Sequence, residues 1–132
     1  MLLPILSGIL IGTSYIPLPP WASLFCLVPL WISIFNETSI KQVLLKSWVT
    51  QFLLTLIGFY WITVVAQEHG NLPMPVAVLA LLGFCATMMY YIPLAGLIWF
   101  YVNKKLQPTL YIKIALLFVI TALCERFYVT LF

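Results

Sequence analysis

The feature of this sequence that most restricts its fold is a central run, residues 47–67, that contains no charged residue. A helix rises about 1.5 Å per residue, so about 20 apolar residues cross a hydrocarbon layer roughly 30 Å thick. The run contains no Pro, and Gly58 is its only weak helix former. We therefore predict a membrane-spanning helix at residues 43–66.

The whole chain is unusually apolar. Hydrophobic residues make up 64% of its 132 residues and its mean hydropathy is +1.14, whereas a typical soluble domain is about half apolar. Six Lys and Arg, three Asp and Glu and one His are too few to cover the surface of a soluble globule. The net charge of +3 forms no basic run or stripe, which argues against a nucleic-acid partner. These observations predict an all-α integral membrane protein.

Five apolar segments follow one another, and we interpret them as about five transmembrane helices in a single domain, residues 1–132. Helices are favoured because an open sheet would expose unpaired backbone groups to lipid, and the runs are too continuous for the alternation of a barrel. Pro17, Pro19 and Pro20 end the first segment, and Pro93 offers a bend in the fourth. The first segment lacks the charged leader of a signal peptide, so we expect it to stay attached. The predicted spans are residues 2–16, 21–35, 43–66, 74–102 and 111–131.

The loops predict an orientation. Lysines occur in the connection between the second and third spans and in that between the fourth and fifth: Lys41, Lys46, Lys104, Lys105 and Lys113. The connection between the third and fourth spans has neither Lys nor Arg. Because cytoplasmic loops are enriched in Lys and Arg, the amino terminus is predicted on the cytoplasmic side of the membrane and the carboxy terminus on the opposite side.

Candidate functional residues cluster first at the predicted outer end of the third span. Tyr60 and Trp61 precede Glu68 and His69 by about two helical turns. One interpretation is an aromatic interfacial belt followed by hydrated polar residues. The other is a polar mouth that receives lipid headgroups or a substrate, and the residue pattern alone leaves both open.

A second polar spot lies late in the fifth span. Glu125 and Arg126 follow Lys113 by about 13 residues, which corresponds to about 20 Å along a straight helix. Ionisable groups at such depth are costly and usually have a partner or face a cavity. Adjacent residues diverge on a helix, so we expect each to need another partner, unless Arg126 extends to the interface and Glu125 is half hydrated.

The remaining reactive residue types predict no catalytic or metal site. Cys26, Cys85 and Cys124 lie singly in apolar runs and are interpreted as buried small hydrophobes. One His and scattered acids give no metal-ligand spacing, so we expect neither metal nor cofactor. Gly8 and Gly12 have the GxxxG spacing that lets helices approach closely, and we assign them to helix packing.

Four stretches, taken in order, are similar to a known family. They span nearly the whole chain: LSGILIGTSYIPLPPWASLFCLVPLW, GFYWITVVAQEHGNLPMP, YYIPLAGLIWFYVNKKLQP and ALCERFYVTLF. A Ser/Pro-rich turn after a short first helix, a Trp-led second helix, an aromatic-Trp-Ile exit from the third and a late Glu in the fifth resemble the amino-terminal membrane region of bacterial apolipoprotein N-acyltransferase. The chain departs from the family in having Arg126 directly after Glu125 rather than three positions later.

The resemblance implies an inner-membrane enzyme that moves an acyl chain from a phospholipid to the amino group of a lipidated apolipoprotein. In that family a Glu, a Lys and a Cys of a nitrilase-like domain carry the chemistry, through a thioester. That domain follows the helices resembled here, and no residue of this chain matches the triad. We therefore expect either a fragment or a stand-alone relative that is not catalytic alone, with phospholipid, lipidated apolipoprotein and a nitrilase-like domain as partners.

Two other classes remain as alternatives. A small non-enzymatic membrane scaffold or subunit would have the same composition. A transporter is less favoured, because the five segments show no internal repeat.

Overall fold

The computed structural model describes the backbone of residues 1–14, 23–35, 37–87, 90–106 and 109–131. The predicted proline-rich turn at residues 17–20 and the predicted start of the second span at Trp21 lie outside these residues. Within the described ranges the chain forms eight helices and no strand, which confirms the all-α prediction. In chain order they are α1 (Leu2–Ser14), α2 (Ser23–Cys26), α3 (Val28–Ile34), α4 (Ile40–Gly58), α5 (Trp61–Glu68), α6 (Met74–Thr87), α7 (Tyr91–Leu106) and α8 (Leu110–Leu131).

Length and apolarity single out one or two possible membrane spans among the described residues. The stretch Met74–Leu106, which holds α6 and α7, is long and apolar enough to cross a membrane. The helices α4 and α5 qualify as a second span if the bent pair is taken as one.

The central apolar run contains a break. We predicted one helix across residues 43–66, but α4 ends at Gly58 and α5 begins at Trp61, with a bend of 48° between them. Phe59 leaves the helical conformation, with φ −113° and ψ 16°, while its N–H still donates to Thr55 O at 2.9 Å. Its ring packs 5.4 Å from that of Phe84 on α6. The helix α4 thus ends at Gly58, a weak helix former, and the next residue, Phe59, packs against α6.

Pro93 begins a helix. It lies in the first turn of α7, where a missing N–H removes no intrahelical bond. The N–H of Leu94 donates to Tyr90 O at 2.9 Å, and the N–H of Ile92 donates to the Gln51 side-chain oxygen at 3.4 Å. A buried side chain of α4 therefore caps the start of α7.

The helix α4 lies at the centre of the bundle, packing against α1, α3, α6 and α7. Apolar core residues surround it on those neighbours, including Leu30, Ile92 and Trp99. The inward face of α4 itself is largely polar. Four of its polar side chains, which we call the α4 polar seam, are at most 1% exposed: Ser47, Thr50, Gln51 and Thr55.

The glycines of α1 lie against α4. A Cβ added at Gly8 would stand 2.7 Å from Leu53 Cβ and 2.8 Å from Thr50 O. One added at Gly12 would stand 2.7 Å from Ile57 Cβ. Both distances are shorter than van der Waals contact, so the two helices approach as closely as they do only because these positions lack side chains.

Other polar contacts hold the short helices in place. The hydroxyl of Ser7 on α1 donates to the carbonyl oxygen of Cys26 at the end of α2. Lys46 forms an ion pair with Glu37 and donates to Ser33 O at 2.9 Å, near the end of α3. A cation at a helix carboxy terminus interacts favourably with the helix dipole. The three cysteines are buried, as their apolar context predicts.

Candidate functional site

The aromatic residues of the candidate site begin α5. Tyr60 is 61% exposed and Trp61 is 50% exposed, and the Trp61 ring lies 6.2 Å from that of Phe59. Seven residues separate Trp61 from Glu68, which puts them about 10 Å apart along the helix axis. The aromatic and acidic residues therefore lie at opposite ends of one short helix.

Glu68 and His69 end α5 in an ordered turn. The N–H of His69 donates to Val65 O at 2.9 Å, and the N–H of Leu72 donates to Ala66 O at 3.2 Å. The second bond joins residues six apart, one more than the bond of a Schellman motif. Asn71, inside this wider turn, takes the left-handed conformation with φ 49°.

Gly70 directly follows the end of α5 and its C-cap His69. The residue with positive φ in this turn is Asn71 rather than Gly70. A Cβ on Gly70 would stand 2.6 Å from Ala66 O, so glycine is required here for close approach to the preceding helical turn. Pro73 directly precedes α6, and its carbonyl accepts from Val76 N at 2.9 Å.

The turn presents its polar side chains to the surroundings. Glu68 and His69 are both exposed, and neither side chain bonds to another residue in the part of the chain that the structure describes. Next to them, Gln67 Nε2 lies 2.9 Å from the Met74 sulfur, a weak acceptor. The hairpin of α5 and α6 thus holds a carboxylate and an imidazole on a fixed turn, accessible to an external group.

Glu125 and Arg126 occupy an exposed face of α8. Glu125 follows the buried Thr121 by one helical turn and so borders the packed side of α8, whereas Arg126 points away from it. Over the described ranges, neither Glu125 nor Arg126 has an ion-pair partner. Because α8 packs along α7 and α5 packs along α6, direct packing does not join this pair to Glu68 and His69. The structure therefore shows two separate polar spots.

No catalytic constellation or metal centre emerges from these spots. Among the described residues, no three of the types His, Cys, Asp and Glu lie close enough together to hold a metal ion.

Sequence analysis missed the α4 polar seam. Thr50 Oγ1 donates to Pro4 O at 2.9 Å, across to α1. Gln51 Nε2 donates to Thr55 Oγ1 at 3.2 Å while its oxygen accepts from α7. The signal was present, since these polar residues interrupt the most apolar predicted span, and polar groups inside such spans usually face the bundle interior.

Comparison with known proteins matches nearly the whole chain to one family. Residues 7–132 match the family model described as the apolipoprotein N-acyltransferase N-terminal domain. An apolipoprotein N-acyltransferase of Bdellovibrio bacteriovorus is 61% identical over 92 residues, covering 69% of this chain and 17% of that protein. One of Chlorobaculum tepidum is 29% identical over 110 residues, covering 78% of this chain and 18% of that protein. No solved structure gives a significant match. The chain spans less than a fifth of the length of these two relatives.

Proposed function

This chain belongs to the apolipoprotein N-acyltransferase family through its N-terminal domain, and from that membership we propose that it is the part that embeds such an enzyme in the bacterial inner membrane. In this proposal it crosses the membrane several times and does not itself carry the catalytic residues. A nitrilase-like domain supplies the transfer of an acyl chain from phospholipid to a lipidated apolipoprotein. The chain contributes a lipid-access surface in two separate parts, one formed by Tyr60, Trp61, Glu68 and His69 and the other by Glu125 and Arg126.

The observation that supports the membrane proposal is that polar side chains lie inside and apolar side chains outside, the reverse of a soluble protein. The α4 polar seam is buried, while large apolar side chains face outward: Leu2 is 84% exposed, Leu79 67% and Phe127 69%. Exposed large apolar side chains occur on α1, α6 and α8 alike, and extensive apolar surface is rare on monomeric soluble proteins. In lipid it is the ordinary state, and polar or small residues then join the helices. The bilayer and the remaining helices of the enzyme are the surroundings that this surface fits.

The charge distribution supports an orientation for the lipid-access surface. Lys104 and Lys105 end α7, whereas the turn at Glu68 and His69 carries no basic residue besides the imidazole. With lysines toward the cytoplasm, that turn faces the periplasm. Tyr60 and Trp61 then lie along the outer half of the bundle, where Trp and Tyr suit the headgroup region.

A chimera tests the acyltransferase proposal. The N-terminal region of the Bdellovibrio bacteriovorus relative is replaced by this chain, and the chimera is expressed in cells depleted of their own enzyme. We expect triacylated lipoprotein, detected by mass spectrometry, to be restored. The same relative with its N-terminal region deleted is the negative control. A chimera that reaches the membrane in normal amount and produces no triacylated lipoprotein would contradict the proposal.

The lipid-access surface is tested in the active chimera. Trp61→Ala and Glu68→Gln are expected to raise the phospholipid concentration needed for half-maximal acylation. Lys105→Gln, a charge change at the opposite end, is the control and should leave acylation unchanged. Equal behaviour of all three variants would remove the surface from the proposal.

Cysteine labelling tests the orientation. With Cys26, Cys85 and Cys124 replaced by Ala, His69→Cys and Lys105→Cys each provide one thiol. A membrane-impermeant maleimide should label position 69 in spheroplasts and position 105 only after permeabilisation. Labelling of position 69 confined to permeabilised cells would overturn the orientation.

A further inference from the structure

An apolar groove opens between α3 and α8, away from the lipid-access surface. Its volume is about 350 Å³, within the range of about 300–1,000 Å³ of many small-molecule sites. The two helices share no extensive contact, so the space between them stays open along one side. We call this space the α3–α8 groove; it is lined by Val28, Trp31, Ile32, Phe35, Leu110, Ile114 and Leu117.

Aromatic contacts fix the walls of the groove. Trp31 meets Phe118 edge to face, with ring centroids 6.0 Å apart, where α3 and α8 approach each other. Phe35 stacks on Trp99 of α7 at 6.1 Å, and Trp99 is 1% exposed. These contacts pack α3, which forms one wall of the groove, against both α8 and α7.

A single cation stands at the groove. Lys113 Nζ lies 5.5 Å from the centre of the Phe35 ring, a cation–π distance. In the described ranges Lys113 has no carboxylate partner, because Glu37 is paired with Lys46. The ammonium group therefore retains capacity to bind an anion beside an otherwise apolar cleft.

The lining of the groove suits a hydrocarbon chain. Its seven lining side chains are all aliphatic or aromatic, so methylene groups pack there without leaving a buried charge unpaired. A cation beside this apolar cleft matches an acyl chain that is joined to an anionic headgroup.

We propose that the α3–α8 groove binds one acyl chain of an anionic phospholipid, whose headgroup phosphate pairs with Lys113. This lipid belongs to the leaflet on the lysine-rich side and is not the acyl donor, which the proposed function brings to the opposite side. The inference uses the membrane placement of the chain but not its acyltransferase role. Failure of the chimera would therefore leave it intact, and its own failure would leave the chimera intact.

Native mass spectrometry of the full 132-residue chain in detergent tests the proposal. The chain is titrated with phosphatidylglycerol and, separately, with zwitterionic phosphatidylcholine of the same acyl chains. We expect one phosphatidylglycerol to bind in preference. Lys113→Gln should weaken its binding about fivefold, equivalent to about 1 kcal/mol for one cation at an anionic headgroup. Ile114→Trp, which fills the groove, should abolish the preferred binding of both lipids.

The chain provides matched controls for both variants. Lys105→Gln removes the same charge from α7, and Ile112→Trp adds the same indole to α8 at a 52% exposed position outside the groove. Neither should change binding. Equal loss in variants and controls, or phosphatidylglycerol binding that survives Lys113→Gln, would overturn the proposal.

Photocrosslinking of the unmodified chain gives a test that needs no variant. A phosphatidylglycerol with a diazirine on its acyl chain is activated in membranes containing the protein, and the labelled peptides are identified. We expect labelling concentrated at Ile32 and Ile114. Labelling spread equally over exposed positions such as Leu79 on α6 would indicate bulk lipid contact only and overturn the proposal.

Discussion

At the residue scale, the side chain of Gln51 on α4 bonds both to Thr55 on its own helix and to Ile92 at the start of α7. Its amide donates to Thr55 within α4 and accepts from the N–H of Ile92 at the start of α7. We expect Gln51→Leu to destabilise the fold by about 1 kcal/mol, because a buried N–H loses its acceptor. Thermal unfolding in detergent measures the change. Gln67→Leu, whose amide meets only the Met74 sulfur, is the control and should have little effect.

Substitutions at the neighbouring turn residues Gly70 and Asn71 are expected to affect stability differently. Gly70→Ala places a methyl group 2.6 Å from Ala66 O, so the turn must open. We expect a loss of about 1–2 kcal/mol in stability and faster hydrogen exchange at the Leu72 amide, which bonds to that oxygen. Asn71→Gly keeps the left-handed conformation at no steric cost and should be neutral. The turn geometry would be contradicted if Asn71→Gly were the more damaging change.

At the element scale, the glycines of α1 allow this helix to pack closely against α4. We expect Gly8→Ala and Gly12→Ala each to cost about 1–3 kcal/mol, since the added Cβ meets α4 at 2.7 Å. Gly83→Ala in α6 is the matched control, because a Cβ there meets nothing within 4 Å. It should stabilise its helix by up to about 1 kcal/mol. Denaturant unfolding of the three variants in mixed micelles measures the differences.

The same scale shows what the sequence could and could not predict of the helices. Long apolar runs and the Lys-bearing loops predicted helices over most of their actual extent, because backbone groups without water must bond within a helix. The break after Gly58 was not predictable, since it depends on Phe59 packing against Phe84, which is distant in sequence. Pro93 marked a discontinuity, but only the tertiary bond from Ile92 to Gln51 shows where α7 starts.

At the scale of the whole molecule, the candidate site was only partly predictable. The exposed Glu68 and His69 were recognisable because charge is rare in this chain. The α3–α8 groove was not, because it depends on where α3 and α8 diverge, and apolar sequence looks the same in a wall, a core and a lipid-facing surface. The separation of Glu68 from Glu125 likewise follows from which helices pack together, not from either helix alone.

The whole-molecule proposal that lipid surrounds α8 makes its own prediction. Val119 lies about 13 Å along α8 from Leu110, and both are at least half-exposed, at 50% and 57%. If the bilayer surrounds this helix, Val119→Arg puts a charge near its centre and should cost about 2.5–3.5 kcal/mol of membrane insertion. Leu110→Arg, on the same helix beside the lysine-rich loop, reaches the interface and should cost little.

The two arginine variants distinguish a lipid environment from water. Insertion is measured as the fraction of protein that resists alkaline extraction, and as glycosylation of an acceptor site placed after residue 132. Water around α8 would make Val119→Arg and Leu110→Arg equally harmless, because an exposed arginine on a soluble helix costs almost nothing. A strong defect at Val119 with near-normal insertion at Leu110 is the expected result, since in a bilayer the cost of an exposed charge depends on its depth.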